Sequence, residues 1–205
     1  MKSLRQMNRS VDFFNSQFKR QISGGDFALN PFEQWALPFI MQGRVLDLGC
    51  GLGNLSIEVA RRGCSVLALD ASVNAIERIR EVAGAQGLPI EARVADLANY
   101  RIAGDFDVIV SIGLLMFMES SCAHQLLNEI QSHVKPGGVA IINVLIEGTT
   151  YLDMFEPGHF TLFGENELKD GFAGWNLLES RYDSFEAPGS TVKRFASVIV
   201  RKPPS

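Results

Sequence analysis

Short, almost continuously apolar runs alternate along the chain with longer segments in which apolar residues recur every three or four positions. The short runs predict buried strands, and the longer segments predict amphipathic helices. Before residue 146, the predicted strands are 44–48, 65–70, 90–95, 106–112 and 138–145. The predicted helices between them are 55–62, 72–86 and 120–134. This alternation is typical of βαβ units, in which a parallel sheet carries helices on both faces.

The pattern changes after Leu145. A loop and a short helix at 165–172 lead into two further strand-like runs, at 176–185 and 191–201. The Pro-Gly-Ser sequence at 188–190 separates these runs and favours a turn between antiparallel strands. The chain is therefore predicted to form an α/β fold, with a mostly parallel seven-stranded sheet that ends in an antiparallel hairpin.

The first forty residues are rich in aromatic side chains on a polar background: Phe13, Phe14, Phe18, Phe27, Phe32 and Trp35. Such a segment is too aromatic for a linker, so residues 1–40 are predicted to form a helical cap or lid. Residues 41–205 are interpreted as the main domain, within a single-domain protein. Residues 1–10 lack the apolar stretch of a secretory signal, and no export is expected.

The composition narrows the class of protein. With 205 residues, 46% of them hydrophobic and 20% charged, the chain is typical of one soluble globular domain. The net charge of -4, without a block of Lys and Arg, argues against a nucleic-acid partner, and the longest apolar run, 108–118, is too short to span a bilayer. The three cysteines lack metal-ligand spacing. We expect a cytoplasmic monomer or homodimer that binds a small molecule, with no membrane or metal partner.

A glycine-rich turn, Asp-Leu-Gly-Cys-Gly-Leu-Gly at 47–53, follows the first predicted strand. In open parallel sheets, ligands bind outside the carboxyl ends of the strands, near such a turn. Gly49, Gly51 and Gly53 permit torsions and a close approach that side chains would prevent. A dinucleotide-binding fingerprint would need glycine at position 54, where this chain has Asn54. The turn therefore indicates a nucleoside-containing ligand and argues against NAD(P).

The turn resembles motif I of the class I methyltransferases, E/DxGxGxG, with Asp47 in the acidic position. This resemblance implies a Rossmann-like fold, a methyltransferase domain at 41–205, and S-adenosylmethionine (SAM) as cofactor, with S-adenosylhomocysteine as product. It also implies that Asp47 faces the methionine ammonium, while Asp70 and Asp96 accept hydrogen bonds from the ribose and the adenine. The implied cofactor-binding residues are Asp47, Gly49, Cys50, Gly51, Gly53, Asp70, Ala71, Asp96, Leu97, Ser111 and Ile112.

Three further stretches, at 110–119, 160–168 and 193–197, resemble the tellurite-resistance methyltransferases of the TehB type. Members of that family carry a His-Arg pair, thought to face the substrate, before the last strand. Here the sequence Glu-Ala-Pro-Gly-Ser at 186–190 takes its place. Arg194 matches the arginine of the family's last strand, which implies a cation on the substrate side.

The predicted function is methyl transfer from SAM to a small soft or anionic nucleophile, such as a tellurite- or selenite-type oxyanion or a thiol. Arg194 is the candidate cation for the substrate, and His159, in the loop after the fifth strand, is a candidate base or anion contact. Three alternatives stay open: an O- or N-methyltransferase acting on a phenol, quinone or amine, an NAD(P)-dependent oxidoreductase, and a SAM-binding protein without catalysis.

Overall fold

A computed structural model describes residues 9–204 of the protein, which form one seven-stranded sheet with helices on both faces. The strands are β1 (Arg44–Leu48), β2 (Ser65–Asp70), β3 (Ile90–Val94), β4 (Phe106–Ile112), β5 (Val134–Leu145), β6 (Asn176–Ala187) and β7 (Thr191–Arg201). The helices are α1 (Arg9–Gly24), α2 (Pro31–Ala36), α3 (Asn54–Arg61), α4 (Val73–Gln86), α5 (Ser120–His133) and α6 (Glu167–Gly171). Short 3-10 helices lie at Leu37–Phe39 and Leu115–Phe117. Residues 1–8 and Ser205 lie outside the described residues. The first eight residues belong to the predicted cap and to the segment in which no export signal is predicted.

The strand order is β3-β2-β1-β4-β5-β7-β6, and the first five strands are parallel. β7 pairs antiparallel with both β5 and β6, so the last strand lies inside the sheet. The chain runs outward from β1 to β3 and then returns to β4 on the other side of β1. A crevice therefore opens between the carboxyl ends of β1 and β4, where ligands of such sheets bind. The predicted fold class is confirmed.

Most predicted boundaries agree with the structure to within two residues, and β5 is the exception. It begins at Val134, because the Lys-Pro-Gly-Gly sequence that reads as a turn instead pairs irregularly with β4, with a register shift between Phe106 and Val108. Gly138 permits this approach, since a Cβ there would lie 2.8 Å from the Asp107 backbone oxygen.

Each face of the sheet is buried under its own set of helices. α5 covers one face, where Phe106 and Ile130 are fully buried, and α3 and α4 cover the other, where Val59 and Ile79 are. The covered strands β1, β2, β4 and β5 are largely apolar, whereas β3 and β6 carry exposed polar residues. Among the described residues, no helix is long and apolar enough to cross a membrane.

The N-terminal helices pack over the sheet and its carboxyl edge. Asn30 begins α2 with a capping box, in which its side chain accepts from the amide of Glu33 and the Glu33 carboxylate accepts from the amide of Asn30. Trp35 then donates from Nε1 to Glu179 of β6 at 2.5 Å. In α1, the Asn15 side chain accepts from the Ser72 hydroxyl at 2.6 Å. The division into a cap and a main domain stays a prediction.

Candidate functional site

A cavity of about 870 Å³ lies at the carboxyl ends of the parallel strands. This volume is typical of a site for a small molecule or cofactor. On one side of the glycine turn, the cavity extends over the ends of β2 and β3, and we call this part the cofactor half. On the other side it extends over β4, β5 and β7, and we call this part the acceptor half.

The glycine turn is fixed to the end of β2 by its own backbone. The amides of Gly49 and Cys50 both donate to Leu69 O, at 2.8 and 3.0 Å. The amide of Gly51 donates to Asp70 Oδ2 at 2.9 Å. Gly49 and Gly51 have φ angles of 71° and 52°, in the left-handed region that favours glycine. Both line the cavity, so side chains are absent where a ligand approaches.

Cys50 lines the cavity between these glycines, as predicted, and is buried. Burial raises the pKa of its thiol well above the ordinary value, which keeps the sulfur uncharged. Gly53 lies outside the lining, in contrast to its prediction as a cofactor contact. Its φ is 73°, and a Cβ there would overlap Ile79 of α4. Gly53 therefore permits close packing at the start of α3.

Three carboxylates line the cavity around the turn: Glu33, Asp47 and Asp70. Asp47 is 5% exposed and accepts a hydrogen bond from Ser56 Oγ at 2.6 Å. Burial raises the pKa of Asp47 to about 7, the Ser56 hydrogen bond opposes this shift, and the charges of Glu33 and Asp70 add to it. Burial also raises the pKa of Glu33. A cluster of desolvated carboxylates favours a ligand with a cationic group.

Asp70 lies at the end of β2 and lines the cofactor half together with Ala71. Its two oxygens accept from the amides of Gly51, at 2.9 Å, and Ser72, at 2.8 Å. Burial raises its pKa, and these hydrogen bonds to the charged form oppose the shift. Each carboxylate oxygen has further acceptor capacity, so Asp70 can hold the turn and still bind a hydroxyl.

Asp96 and Leu97 follow β3 and line the far end of the cofactor half. Asp96 accepts from the Ala98 amide at 3.2 Å and from Asn99 Nδ2 at 2.8 Å, which fixes its carboxylate in a local turn. Leu97 is buried and provides an apolar surface. The structure therefore brings the predicted residues of β1, β2 and β3, apart from Gly53, to one side of the cavity.

At the end of β4, where the backbone carbonyls of Ser111 and Ile112 are predicted to face the ligand, the two side chains differ in position. Ile112 lines the cavity, whereas Ser111 is fully buried outside it, because successive side chains of a strand point to opposite faces. Gly113 and Leu114, which sequence reasoning missed, take part in the lining instead. Their position immediately after a parallel strand is the signal that would have found them.

Neither predicted substrate-side residue lines the cavity. Arg194 donates to Glu147 O at 3.2 Å and pairs with Glu165 at 3.5 Å. Its neighbours on β7, Lys193 and Phe195, line the acceptor half instead, because side chains alternate along the strand. Arg194, the residue that matches the family's arginine, therefore lies between two cavity-lining residues of β7 and on the other face of the strand.

His159 lies on the surface of its loop and pairs with Glu119, 2.6 Å from Nδ1 to the carboxylate. Its side chain is 57% exposed.

Lys193 and Asn143 are the polar residues of the acceptor half that sequence reasoning missed. Lys193 is the single basic residue among the described residues that line the cavity. Burial lowers its pKa, and its ammonium lies 4.7 Å from the centre of the Tyr151 ring. Asn143 interrupts the apolar sequence of β5, and a polar residue in a buried strand is a signal of function.

Aromatic residues cover the mouth of the cavity. Phe14 of α1 meets the Phe117 ring edge-on, with centroids 5.0 Å apart, and Phe13 packs on Phe14 at 5.4 Å. Phe18 lies against the turn, because a Cβ on Gly51 would be 3.3 Å from it. All these phenylalanines line the cavity and give the region above the turn an apolar surface. The described residues contain no group of three or more His, Cys, Asp or Glu that could hold a metal ion.

Comparisons with known proteins point to one family. The family described as "Tellurite resistance protein TehB" matches residues 12–188. A probable S-adenosyl-L-methionine-dependent methyltransferase TehB from Haemophilus influenzae is 29% identical over 200 residues, covering 95% of this chain and 67% of that protein. Hemagglutinin 1 from Eikenella corrodens is 27% identical over 166 residues, covering 78% of this chain and 55% of that protein.

Solved structures agree with this likeness. The crystal structure of TehB from Haemophilus influenzae superposes with a TM-score of 0.75 at 25% identity, and covers 94% of this chain and 67% of that one. A coclaurine N-methyltransferase structure with bound S-adenosylhomocysteine superposes with a TM-score of 0.67 at 17% identity, covering 83% of this chain and 71% of that one, which shows a shared fold. The chain thus spans between about half and two thirds of the TehB and hemagglutinin relatives.

Proposed function

Because the chain belongs to the tellurite resistance TehB family of SAM-dependent methyltransferases, we propose that it transfers the methyl group of SAM to a small acceptor bound in the acceptor half of the cavity. The family confirms the class of enzyme and the cofactor that the sequence predicts. The acceptor and the roles of single residues are our proposal.

The residues of the cofactor half fit SAM. Gly49 and Gly51 leave room for close contact with the backbone, and the desolvated carboxylates of Asp47 and Glu33 suit an ammonium group. Asp70 has acceptor capacity for ribose hydroxyls, and Leu97 offers an apolar surface to a base. When bound, SAM supplies a methyl group on a positively charged sulfur, which keeps the electron pair of the carbon–sulfur bond as the acceptor bonds to carbon.

The protein's part in such a transfer is alignment and exclusion of water. The aromatic side chains above the turn exclude water, and the acceptor half positions the nucleophile. A soft oxyanion or a thiolate already carries the electron pair that attacks, so no base is required. This agrees with the exposed position of His159 outside the cavity.

Lys193 is the observation that supports an anionic acceptor, such as a tellurite- or selenite-type oxyanion or a thiolate. Its positive charge is the single one among the side chains that line the cavity in the described part of the chain. In a partly desolvated cavity, such a charge attracts an anion more strongly than it would in water. A phenol, quinone or amine acceptor, the alternative, would not depend on this charge.

The experiment measures methyl transfer from labelled SAM to selenite, tellurite, a thiol, a phenol and an amine. Lys193→Gln is compared with Arg194→Gln, its neighbour on the opposite face of β7. We expect the Lys193 variant to lose at least tenfold in kcat/KM for the anionic acceptors, and the Arg194 variant to resemble the wild type. Equal effects of the two variants, or transfer only to phenol or amine, would contradict the proposed acceptor. Binding of NADH without binding of SAM would contradict the methyltransferase itself.

A further inference from the structure

Asn143 carries a buried oxygen in the wall of the cavity. Its side chain is 1% exposed, and its Nδ2 donates to Ser197 Oγ at 2.8 Å. Its Oδ1 is buried and has no hydrogen-bond partner among the described residues. A buried acceptor oxygen without a partner is unfavourable, and the few that native proteins keep often mark functional positions.

The sheet register places Asn143 in the acceptor half. Asn143 pairs with Ile112 of β4 and with Ser197 of β7, and register partners present their side chains on the same face of a sheet. Ile112 and Phe195, two positions from Ser197 along β7, both line the cavity. Asn143 therefore contributes to the floor of the acceptor half, on the side of β1 away from Asp70 and Asp96.

The hydrogen bond to Ser197 determines which end of the amide is available. Because Nδ2 is engaged by Ser197, the oxygen is the end of the amide that lacks a partner. An amide oxygen accepts a hydrogen bond but does not take up a proton at neutral pH. Asn143 can therefore hold a donor group in place, and it cannot act as a general base.

We propose that Asn143 Oδ1 accepts a hydrogen bond from the methyl acceptor and thereby selects acceptors that carry an O–H or N–H group. This proposal rests on the proposed function, since it takes the acceptor to lie over β4, β5 and β7. Hydrogen selenite is a suitable probe, because it has an O–H group and a separate electron pair on selenium.

Lys193 has a different part. It lies on the same face of β7 as Ser197 and four residues away, which is about 13 Å along a strand. Lys193 therefore attracts negative charge at the mouth of the acceptor half, whereas Asn143 makes a specific contact at its floor. The two residues affect different properties, the charge and the hydrogen-bonding groups of the acceptor.

The test is a calorimetric titration of sodium selenite into protein saturated with S-adenosylhomocysteine. Asn143→Leu removes the oxygen at similar size, and Asn128→Leu makes the same change on the exposed face of α5. We expect Asn143→Leu to bind selenite at least tenfold more weakly, with S-adenosylhomocysteine affinity within twofold of the wild type. Asn128→Leu is expected to change neither affinity. Ser197→Ala keeps the Asn143 oxygen but removes the partner of its Nδ2 group. We expect this variant to lose less selenite affinity than Asn143→Leu. It serves as the second test variant if Asn143→Leu does not fold.

Selenite affinity of Asn143→Leu within twofold of the wild type would overturn the proposal, as would wild-type protein that does not bind selenite. An equal loss of S-adenosylhomocysteine affinity would assign Asn143 to the cofactor instead.

Transfer from labelled SAM is measured in parallel, with dimethyl sulfide as an acceptor that lacks a hydrogen-bond donor. Selenite binding that depends on Asn143 without any transfer refutes the proposed function alone, whereas transfer to selenite that Asn143→Leu leaves unchanged refutes this inference alone.

Discussion

Replacing Asp47 with asparagine tests two effects of the Asp47 charge: its cost to the stability of the folded protein and its contribution to SAM binding. The pKa of Asp47 is raised from 3.8 to about 7, mainly because burial removes water from the carboxylate. The Ser56 hydrogen bond opposes this shift, and the charges of Glu33 and Asp70 add to it. A rise of the pKa from 3.8 to about 7 corresponds to about 4 kcal/mol.

The sign of the effect follows from proton binding. The folded protein holds the Asp47 proton more tightly than the unfolded chain, so the stability from this group is fully present below about pH 4 and is lost as the pH rises to about 7. The asparagine side chain of the Asp47→Asn variant cannot ionise, so the variant does not lose this stability. We therefore expect the free energy of unfolding of the variant to exceed that of the wild type by a difference that grows from near zero at about pH 4 to about 4 kcal/mol above pH 7.

Urea unfolding at several pH values between about 4 and 8 measures this difference, with Asp153→Asn, an exposed carboxylate, as the control. At about pH 8 the Asp47 variant should also melt about 8 to 16 °C higher. If Asp47 faces the methionine ammonium, as proposed above, the affinity of the variant for SAM should also fall. A variant no more stable than the wild type at that pH, or a difference that does not depend on pH, would refute the reasoning.

Three further substitutions test the cofactor half and the packing of the glycine turn. Asp70→Ala removes an acceptor for ribose hydroxyls, so SAM affinity measured by calorimetry should fall by about 1.5 to 3 kcal/mol; unchanged affinity would show that Asp70 does not contact the cofactor. Gly51→Val places a branched side chain at a φ of 52° beside Phe18, and SAM binding should be lost while the protein stays folded. Gly53→Ala forces a Cβ into Ile79 and should lower the free energy of unfolding by about 1 to 3 kcal/mol, and a stability equal to wild type would contradict the packing role of this glycine.

The fold could be predicted because its signals are local. Most of the parallel strands are buried on both faces and appear in the sequence as apolar runs, with β3 and its exposed Glu91 and Arg93 as the exception. The glycine turn marks the end of β1. Asp70 and Asp96 were predicted in the same way, since a carboxylate directly after a buried strand lies at the edge where ligands bind, and both line the cavity. β5 was placed too late, because its Pro-Gly-Gly sequence is typical of turns, whereas Gly138 here allows close contact with β4.

The acceptor half could not be predicted with the same success, because it depends on which face of a strand each residue occupies. A shift of one residue moves a side chain from one face to the other, and this separates Lys193 from Arg194 and Ile112 from Ser111. The unpartnered oxygen of Asn143 becomes apparent only when β5 and β7 are paired, since its amide partner lies far away in sequence. The packing role of Gly53 likewise needs the position of α4.

The position of β7 inside the sheet has a consequence for synthesis of the chain on the ribosome. All strand ends that form the cofactor half, from β1 to β3, are made before residue 100, whereas Lys193, Phe195 and Ser197 come from the last strand to emerge. The growing chain can therefore assemble the surface for SAM well before it has a wall to hold an acceptor. On the proposed function, insertion of β7 between β5 and β6 would complete the wall that holds the acceptor.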